Sequence, residues 1–280
     1  MANLPKIKFF FKKKIVENLK IINFSDSNKD SLRIMMFHDT PKKDHSIYFN
    51  QIQFLIKNGW KFLDPKKFIS RRRKNKKFKG KNLIVTFNDD LKSNKIFANK
   101  LESEFGIKSI FFVPYEFIKM KNKKDIKEFC LEKLKLNKKN YNKLNLTFRD
   151  LKHLINKGHI IGSHTLSHPN LKKVINQNKL NDEIKGSKKL LSKSLKTNIN
   201  TFAFTYGTLK DISKKSLKLS LKSYDLVFTG IRGENLSNNK LLFRDEINSK
   251  YSLNMCSSFL NGYTDFVYKY ARKKLLQMCN

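Results

Sequence analysis

The feature that most constrains the fold of this chain is a regular alternation of short apolar runs with longer amphipathic stretches, which begins at Leu32. The apolar runs have the length of strands and are rich in Ile, Val or Phe; they cover residues 32–37, 83–87, 109–113, 159–162, 201–204, 226–229 and 241–243. Helical periodicity occupies the intervals at 49–58, 95–105, 149–157, 180–195 and 210–221. Strands that alternate with helices form right-handed βαβ units and a parallel sheet. Seven short strands that are apolar on both faces therefore predict a single α/β barrel of the distorted (β/α)7 type.

The same alternation sets the predicted domain boundaries. A barrel of this kind commonly reaches the 280 residues of this chain without splitting. With 39% hydrophobic residues and 24 Phe, the chain has enough apolar volume for a packed core. We predict a basic N-terminal arm or helix over 1–30, the barrel over 31–250 and a helical tail over 251–280, in which 265–276 is the clearest helix.

The charge of the chain is strongly positive, with 60 Lys and Arg against 23 Asp and Glu and a formal net charge of +37. Such a charge favours anionic partners. Because Lys is spread along the whole chain and few of the cations are Arg, we interpret the excess mainly as a composition bias. The dense basic run at 71–81 could meet lipid headgroups, phosphates or nucleic acid, but a solvated loop is our preferred interpretation. No nucleic-acid-binding motif accompanies it, so we do not expect nucleic acid as a partner.

Cysteine usage and hydropathy indicate the cellular compartment in which the protein is expected. The three cysteines share no C-x-x-C spacing, which favours a reducing environment. Lysines interrupt the apolar stretch around Phe9–Phe11 before it could form a signal core. No segment reaches the roughly 18 apolar residues of a spanning helix. The expectation is a cytoplasmic protein that could rest on the inner, anionic membrane surface through its basic residues.

Polar residues that directly follow the apolar runs are candidates for chemistry, because active sites of parallel barrels lie at the carboxyl ends of the strands. His164 and His168 stand four residues apart just after the fourth run. One helical turn would place both imidazoles on the same side. With a carboxylate from another strand they would form a three-ligand metal site, and Asp89 after the second run is the natural third ligand.

Three segments resemble the motifs of one known family. Residues 85–90 (V-T-F-N-D-D) resemble the T-F-D-D-G motif of the NodB-type polysaccharide deacetylases, carbohydrate esterase family four, which remove acetyl groups from sugars. Residues 162–169 match the H-[ST]-x-x-x-H-P motif of that family, and 201–207 (T-F-A-F-T-Y-G) are similar to its F-A-Y-P-Y-G strand, with Thr205 in place of Pro. The order of the motifs and their strand context agree over roughly 32–247.

The resemblance implies a NodB-like barrel and a role for each matching residue. Asp89, His164 and His168 would hold a divalent metal, zinc by preference and cobalt or manganese as alternatives, which would polarise the acetyl carbonyl and acidify the attacking water. The backbone N–H of Tyr206 would hold the oxyanion. Arg244 would orient the carboxylates, and the substrate mouth would be lined by His38, Asp90 and Tyr206.

Two departures from the family pattern leave two functional classes open. Position 88 is Asn where the family has the Asp that acts as general base, and an amide cannot take a proton. The usual late general-acid His is also missing, so Asp245, Glu246 or solvent would have to serve. One expectation is a hydrolase that deacetylates a sugar in surface polysaccharide metabolism, with nucleotide- or lipid-linked sugars as candidate substrates. The alternative is a catalytically impaired relative that binds a glycan or a partner.

Overall fold

The structure of the chain, a computed structural model, describes residues 29–136 and 144–279. The N-terminal arm predicted at 1–30 lies outside the described residues except for its last two positions, so the three-part division of the chain stays a prediction. No helix of the described part is long and apolar enough to cross a membrane.

A parallel sheet forms the centre of the fold. Within the described residues its strands are β1 (Ser31–Phe37), β2 (Lys61–Phe62), β3 (Lys81–Phe87), β4 (Ser109–Val113), β5 (Ile160–Ser163), β6 (Thr201–Ala203), β7 (Leu226–Phe228), β8 (Leu241–Leu242) and β9 (Asp245–Glu246). The strand order is β8-β7-β6-β5-β4-β3-β1-β9, with β2 also paired to β3. All seven runs that the sequence predicted as strands are strands, with ends shifted by a residue or two. The two unpredicted strands, β2 and β9, are only two residues long and carry no readable pattern.

The last two strands join the ends of the sheet. β8 pairs in parallel with β7, and β9, which follows after only two residues, pairs in parallel with β1. The segment 241–246 therefore hydrogen-bonds to the last consecutive strand on one side and to the first strand on the other. This arrangement confirms the predicted α/β barrel of the (β/α)7 type and explains its distortion, because one broken strand closes it.

Helices cover the outside of the barrel. They are α1 (His45–Lys57), α2 (Pro65–Arg73), α3 (Lys92–Phe105), α4 (Tyr115–Lys119), α5 (Lys123–Glu132), α6 (Phe148–Asn156), α7 (Gln177–Asn181), α8 (Ser187–Leu195), α9 (Lys214–Ser223), α10 (Leu253–Leu260) and α11 (Asp265–Cys279). The helix predicted at 180–195 is divided by a π-helical stretch at Asp182–Gly186. The sequence did not predict α2, α4 and α5, because α2 is basic on most sides and α4 is too short for a periodic signal.

Alternate side chains of the strands face two different apolar layers. Ile34, Ile84 and Phe112 point into the barrel, whereas Met35, Val85 and Phe111 belong to the layer between the sheet and the helices. All six are buried. Burial on both faces is why these strands appear in the sequence as continuous apolar runs.

The dense basic run is not the solvated loop that the sequence suggested, at least over its first part. Arg71–Arg73 form the last turn of α2. Arg72 is only 4% exposed and donates hydrogen bonds to the backbone carbonyls of Asn235, Ser237 and Asn239. Burial lowers the pKa of Arg72 to about 10. This guanidinium ties α2 to the 235–239 loop, so it is not available to an external anion.

Candidate active site

The turn that follows β3 has an unusual backbone conformation. Asp89 and Asp90 have φ angles of 68° and 54°, in the left-handed region that residues with a Cβ rarely adopt. Such strain persists only where the surrounding structure enforces it, and it is frequent at functional sites. Here the turn keeps Asp89 at the carboxyl end of the barrel.

Asp89, His164 and His168 converge on one point. Oδ1 of Asp89 lies 3.5 Å from Nε2 of His164 and 3.3 Å from Nε2 of His168. The three candidate ligand atoms all lie within 4.8 Å of one another, and the three side chains are buried. The structure therefore brings together the three residues that the sequence selected, from the ends of β3 and β5.

The sequence predicted that one helical turn separates His164 and His168, and this prediction is wrong. Residues 164–168 form a loop in which Thr165 and His168 have φ angles of 72° and 59°. The hydroxyl of Thr165 accepts a 3.0 Å hydrogen bond from the backbone N–H of His168. Glu183, which is 2% exposed, accepts hydrogen bonds from the N–H groups of Leu166 and Ser167. Sequence reasoning missed Glu183, because it lies far along the chain and no local motif marks it.

Hydrogen bonding sets the tautomer of His164. Its Nδ1 lies 2.8 Å from the backbone oxygen of Ala203, which can only accept, so Nδ1 carries the proton. Nε2 then presents a lone pair toward Asp89 and His168. Burial lowers the pKa of His164 to about 4, and the imidazole is therefore neutral near pH 7, as a metal ligand must be.

The electrostatics of Asp89 favour its ionised form. Burial alone would raise the pKa of this carboxyl, but its close polar contacts with His164 and His168 outweigh burial and hold the pKa well below its usual range. One carboxylate oxygen and two imidazole nitrogens form a donor set that suits zinc and related divalent ions. The residues present therefore fit a divalent metal, with the fixed lone pair of His164 as the structural observation that supports the fit.

Asn88 and Arg244 pair behind this site. Nη1 of Arg244 donates a 2.7 Å hydrogen bond to Oδ1 of Asn88, and its Nε donates to the backbone oxygen of Thr229. Asn88 and Arg244 are 3% and 0% exposed. The side chain at position 88 is thus held in a fixed orientation by Arg244. The predicted role of Arg244 in orienting carboxylates stays a prediction.

Asp245 is buried in an ion pair, so its predicted catalytic role gains no support from the structure. Its two carboxylate oxygens accept hydrogen bonds of 2.8 and 2.6 Å from Nε and Nη2 of Arg33, and the residue is 0% exposed. Burial would lower the pKa of Arg33, but the charges and hydrogen bonds of Asp245 and Asp265 outweigh burial and raise that pKa. Asp245 belongs to an ion pair that connects β1 to β9 inside the protein.

Asp90 also departs from its prediction as a substrate-binding residue. It is 1% exposed, and neither carboxyl oxygen has a hydrogen-bond partner within the described residues. Burial, followed by the charges of Asp150 and Asp89, raises its pKa well above the usual range. A carboxyl so enclosed offers no surface to a sugar, and the structure gives no support to a substrate contact by Asp90.

The remaining predicted residues lie at the rim. The half-exposed side chain of His38 follows β1, and its Nδ1 lies 3.9 Å from Oε1 of Glu246. The Tyr206 ring is 40% exposed and packs edge-on against the ring of His168 at 5.3 Å. Beside them opens a cleft of about 810 Å³, which is lined in part by His168 and Tyr206. The structure thus brings the metal-ligand candidates, His38 and Tyr206 to one end of the barrel.

Comparisons with known proteins agree with this arrangement. A sequence model of the family described as polysaccharide deacetylase matches residues 75–223. No curated protein sequence matches the chain. Among solved structures, the chain is similar to a Streptococcus pyogenes deacetylase, PplD, in complex with acetate, at 20% identity and a TM-score of 0.65 over 82% of this chain and 98% of that one. It is also similar to IcaB from Ammonifex degensii, at 16% identity and a TM-score of 0.66 over 83% of this chain and 98% of that one.

The fold and the site define a parallel α/β barrel with a candidate metal centre at the carboxyl ends of its strands. The family match extends over more than half of the sequence, so the chain belongs to the polysaccharide deacetylase family. The similar structures share too little sequence with this chain to show more than the fold.

Proposed function

We propose that the protein is a metal-dependent hydrolase that removes acetyl groups from an acetylated sugar polymer or sugar conjugate. The observation that carries the proposal is the convergence of Asp89, His164 and His168, with the lone pair of His164 directed to the common point. Zinc suits this donor set, and cobalt and manganese accept the same ligands. A bound divalent cation would polarise the acetyl carbonyl and lower the pKa of the attacking water.

The residues around the metal centre supply positions for the reacting groups. Tyr206 has a φ angle of 59°, in a turn where Gly207 packs so closely on Gly230 that a Cβ on Gly207 would lie 2.4 Å from the backbone nitrogen of Gly230. This tight turn fixes the backbone at Tyr206, whose ring packs on the metal-ligand candidate His168. A fixed backbone donor at that place would stabilise the negative charge that develops on the acetyl oxygen.

His38 is the residue that best fits the general acid. Four of the six histidines, namely His45, His159, His164 and His168, are buried, and His153 lies on α6. His38 remains, half exposed at the rim and beside Glu246. It lies close enough to Asp89 for its charge to lower the pKa of that carboxyl. His38 would donate the proton that the leaving amine needs.

The general base is the missing part, and it supports a second candidate function. The Asn88 amide has no site that takes up a proton near neutrality, and its oxygen already accepts from Arg244. Loss of a general base typically costs about 100- to 10,000-fold in rate. The alternative is therefore a deacetylase-like protein that binds an acetylated glycan and turns it over slowly or not at all.

The test is acetate release by purified protein loaded with zinc, cobalt or manganese, on a panel of acetylated oligosaccharides and nucleotide sugars. We expect release that a His168→Ala variant abolishes. The matched control is His153→Ala, which changes an exposed histidine of α6 and should leave the rate unchanged. Silence of the wild-type protein on every substrate, together with measurable binding of one of them, would support the binding function. Silence with neither bound metal nor binding of any substrate would refute both functions.

A further inference from the structure

The cleft beside His168 carries four lysines on its two walls. One wall is formed by residues 132–135, at and after the end of α5, and contributes Lys133 and Lys135. The other wall runs from His168 to Lys179 and contributes Lys173 and Lys179. All four lysines are exposed. They therefore surround the space next to the candidate metal centre.

Hydrogen bonds hold both walls of the cleft in place. The Tyr206 hydroxyl donates a 2.9 Å hydrogen bond to the backbone oxygen of Lys133, which ties the first wall to the turn beside His168. The side chain of Asn176 accepts from the backbone N–H of Lys179 and caps α7 in the second wall. Within residues 29–136 and 144–279, none of the four lysine amines forms an ion pair, whereas Lys79, Lys95 and Lys157 elsewhere on the surface do.

Two acidic residues, Glu132 and Asp211, also line the cleft. The carboxylate of Asp211 accepts hydrogen bonds from Asn170 and Thr208, which fix its position. With four lysines against two carboxylates, the lining keeps an excess of positive formal charge, and a concave surface with low-dielectric walls concentrates such a potential.

The chemistry of the ammonium group indicates the kind of ligand. A lysine has three donors and no acceptor, so it cannot accept a hydrogen bond from a sugar hydroxyl. Phosphate and carboxylate groups present acceptors only, together with the opposite charge. Exposed lysines occur elsewhere on this protein too, but these four, which form no ion pair within the part of the chain that the structure describes, line the cleft next to the candidate metal centre.

We propose that the substrate is an acidic acetylated glycan, one whose phosphate or carboxylate groups are held by Lys133, Lys135, Lys173 and Lys179 while an acetyl group lies at the metal centre. This inference rests on the proposed function. It adds that a neutral acetylated polymer is a poor substrate, because the cleft then gains no charge pairing.

The test compares three tetrasaccharides of equal length: neutral N-acetylglucosamine tetramer, the same tetramer phosphorylated on O6, and a tetramer that alternates N-acetylglucosamine with glucuronic acid. The KM and kcat for acetate release are measured with the metal-loaded protein at 50 and 200 mM salt, and binding is measured by calorimetry. The cleft variant is Lys173→Gln combined with Lys179→Gln. The control variant is Lys273→Gln combined with Lys274→Gln, which removes two exposed charges of α11 outside the cleft.

We expect at least one acidic tetramer to show a KM or Kd about tenfold below that of the neutral one at low salt. The preference should shrink at 200 mM salt and in the cleft variant, with kcat unchanged, and should persist in the control variant. Comparison of the phosphorylated tetramer with the glucuronic acid tetramer shows which anionic group the cleft prefers. Equal KM and Kd values for all three tetramers would overturn the inference, as would a preference that the cleft variant retains. If no tetramer is hydrolysed, the calorimetric preference still decides the inference, while the proposed catalysis fails separately.

Discussion

The guanidinium of Arg244 is hydrogen-bonded at 2.7 Å to the side-chain oxygen of Asn88, and both residues are buried at the carboxyl end of the barrel. Burial lowers the pKa of Arg244 to about 9, while the charge of Asp89 acts in the opposite direction. A buried cation thus faces a neutral amide at the position where the family pattern has a carboxylate. The residue at position 88 therefore bears directly on whether the protein hydrolyses its substrate or only binds it.

An Asn88→Asp substitution should restore both a proton acceptor and a counter-ion. We expect the rate of acetate release to rise by about 100-fold or more, because a general base contributes that much. The melting temperature should also rise, since the carboxylate would pair with the buried Arg244. Asn88→Ala is the control, because it removes the hydrogen bond and adds no base. If Asn88→Asp leaves the rate where it was, the missing base does not limit the reaction.

The ion pair of Arg33 and Asp245 predicts a loss of stability without a loss of chemistry. Asp245→Asn leaves a buried guanidinium without its main partner, and we expect the free energy of unfolding to fall by about 3–5 kcal/mol. The remaining folded protein should keep its kcat. Asp225→Asn breaks the exposed pair with Arg73 and should cost less than about 1 kcal/mol. If Asp245→Asn lowers kcat strongly while the free energy of unfolding in denaturant stays the same, Asp245 takes part in catalysis.

The proposed proton donor at the rim can be tested by substitution. His38→Gln should lower kcat by about 100-fold and leave KM nearly unchanged, because Gln has a similar size but is not an acid. His153→Gln is the control and should keep the rate. An unaltered kcat in His38→Gln would assign proton donation to another group.

Part of this architecture could be predicted from the sequence, and the reasons differ from element to element. The runs at 109–113 and 83–87 are buried on both faces and therefore stand out as apolar, so the barrel could be predicted from them. The metal-ligand candidates could also be named, because His164 and His168 flank a short recognisable segment. Asp245 could not be excluded, because its partner Arg33 lies 212 positions away in the chain. Arg72 likewise looked solvated, since the carbonyl groups that it binds lie in the distant 235–239 loop.

Buried His159 should make the protein less stable in acid. Burial lowers its pKa to about 4, with Glu102 partly opposing the shift, whereas a histidine in the unfolded chain titrates near 6.5. The unfolded state therefore binds a proton first as pH falls. Stability that is fully present above about pH 6.5 should decline toward pH 4, by on the order of 3 kcal/mol.

Denaturant unfolding of wild type and His159→Asn between pH 8 and pH 4 checks this sign. Asn can still accept the hydrogen bond that the backbone N–H of Ser109 donates to Nδ1 of His159, and it does not titrate. The variant should lose less stability than wild type over the acid range. Parallel curves for the two proteins would show that His159 is not the group responsible.

Anomalous diffraction from crystals of the protein grown with cobalt or zinc tests the metal centre most directly. The structure predicts one ion at about 2.0–2.2 Å from a carboxylate oxygen of Asp89 and from Nε2 of both His164 and His168. An anomalous map with no ion among these three side chains at saturating metal, or with the ion bound elsewhere, would contradict the account.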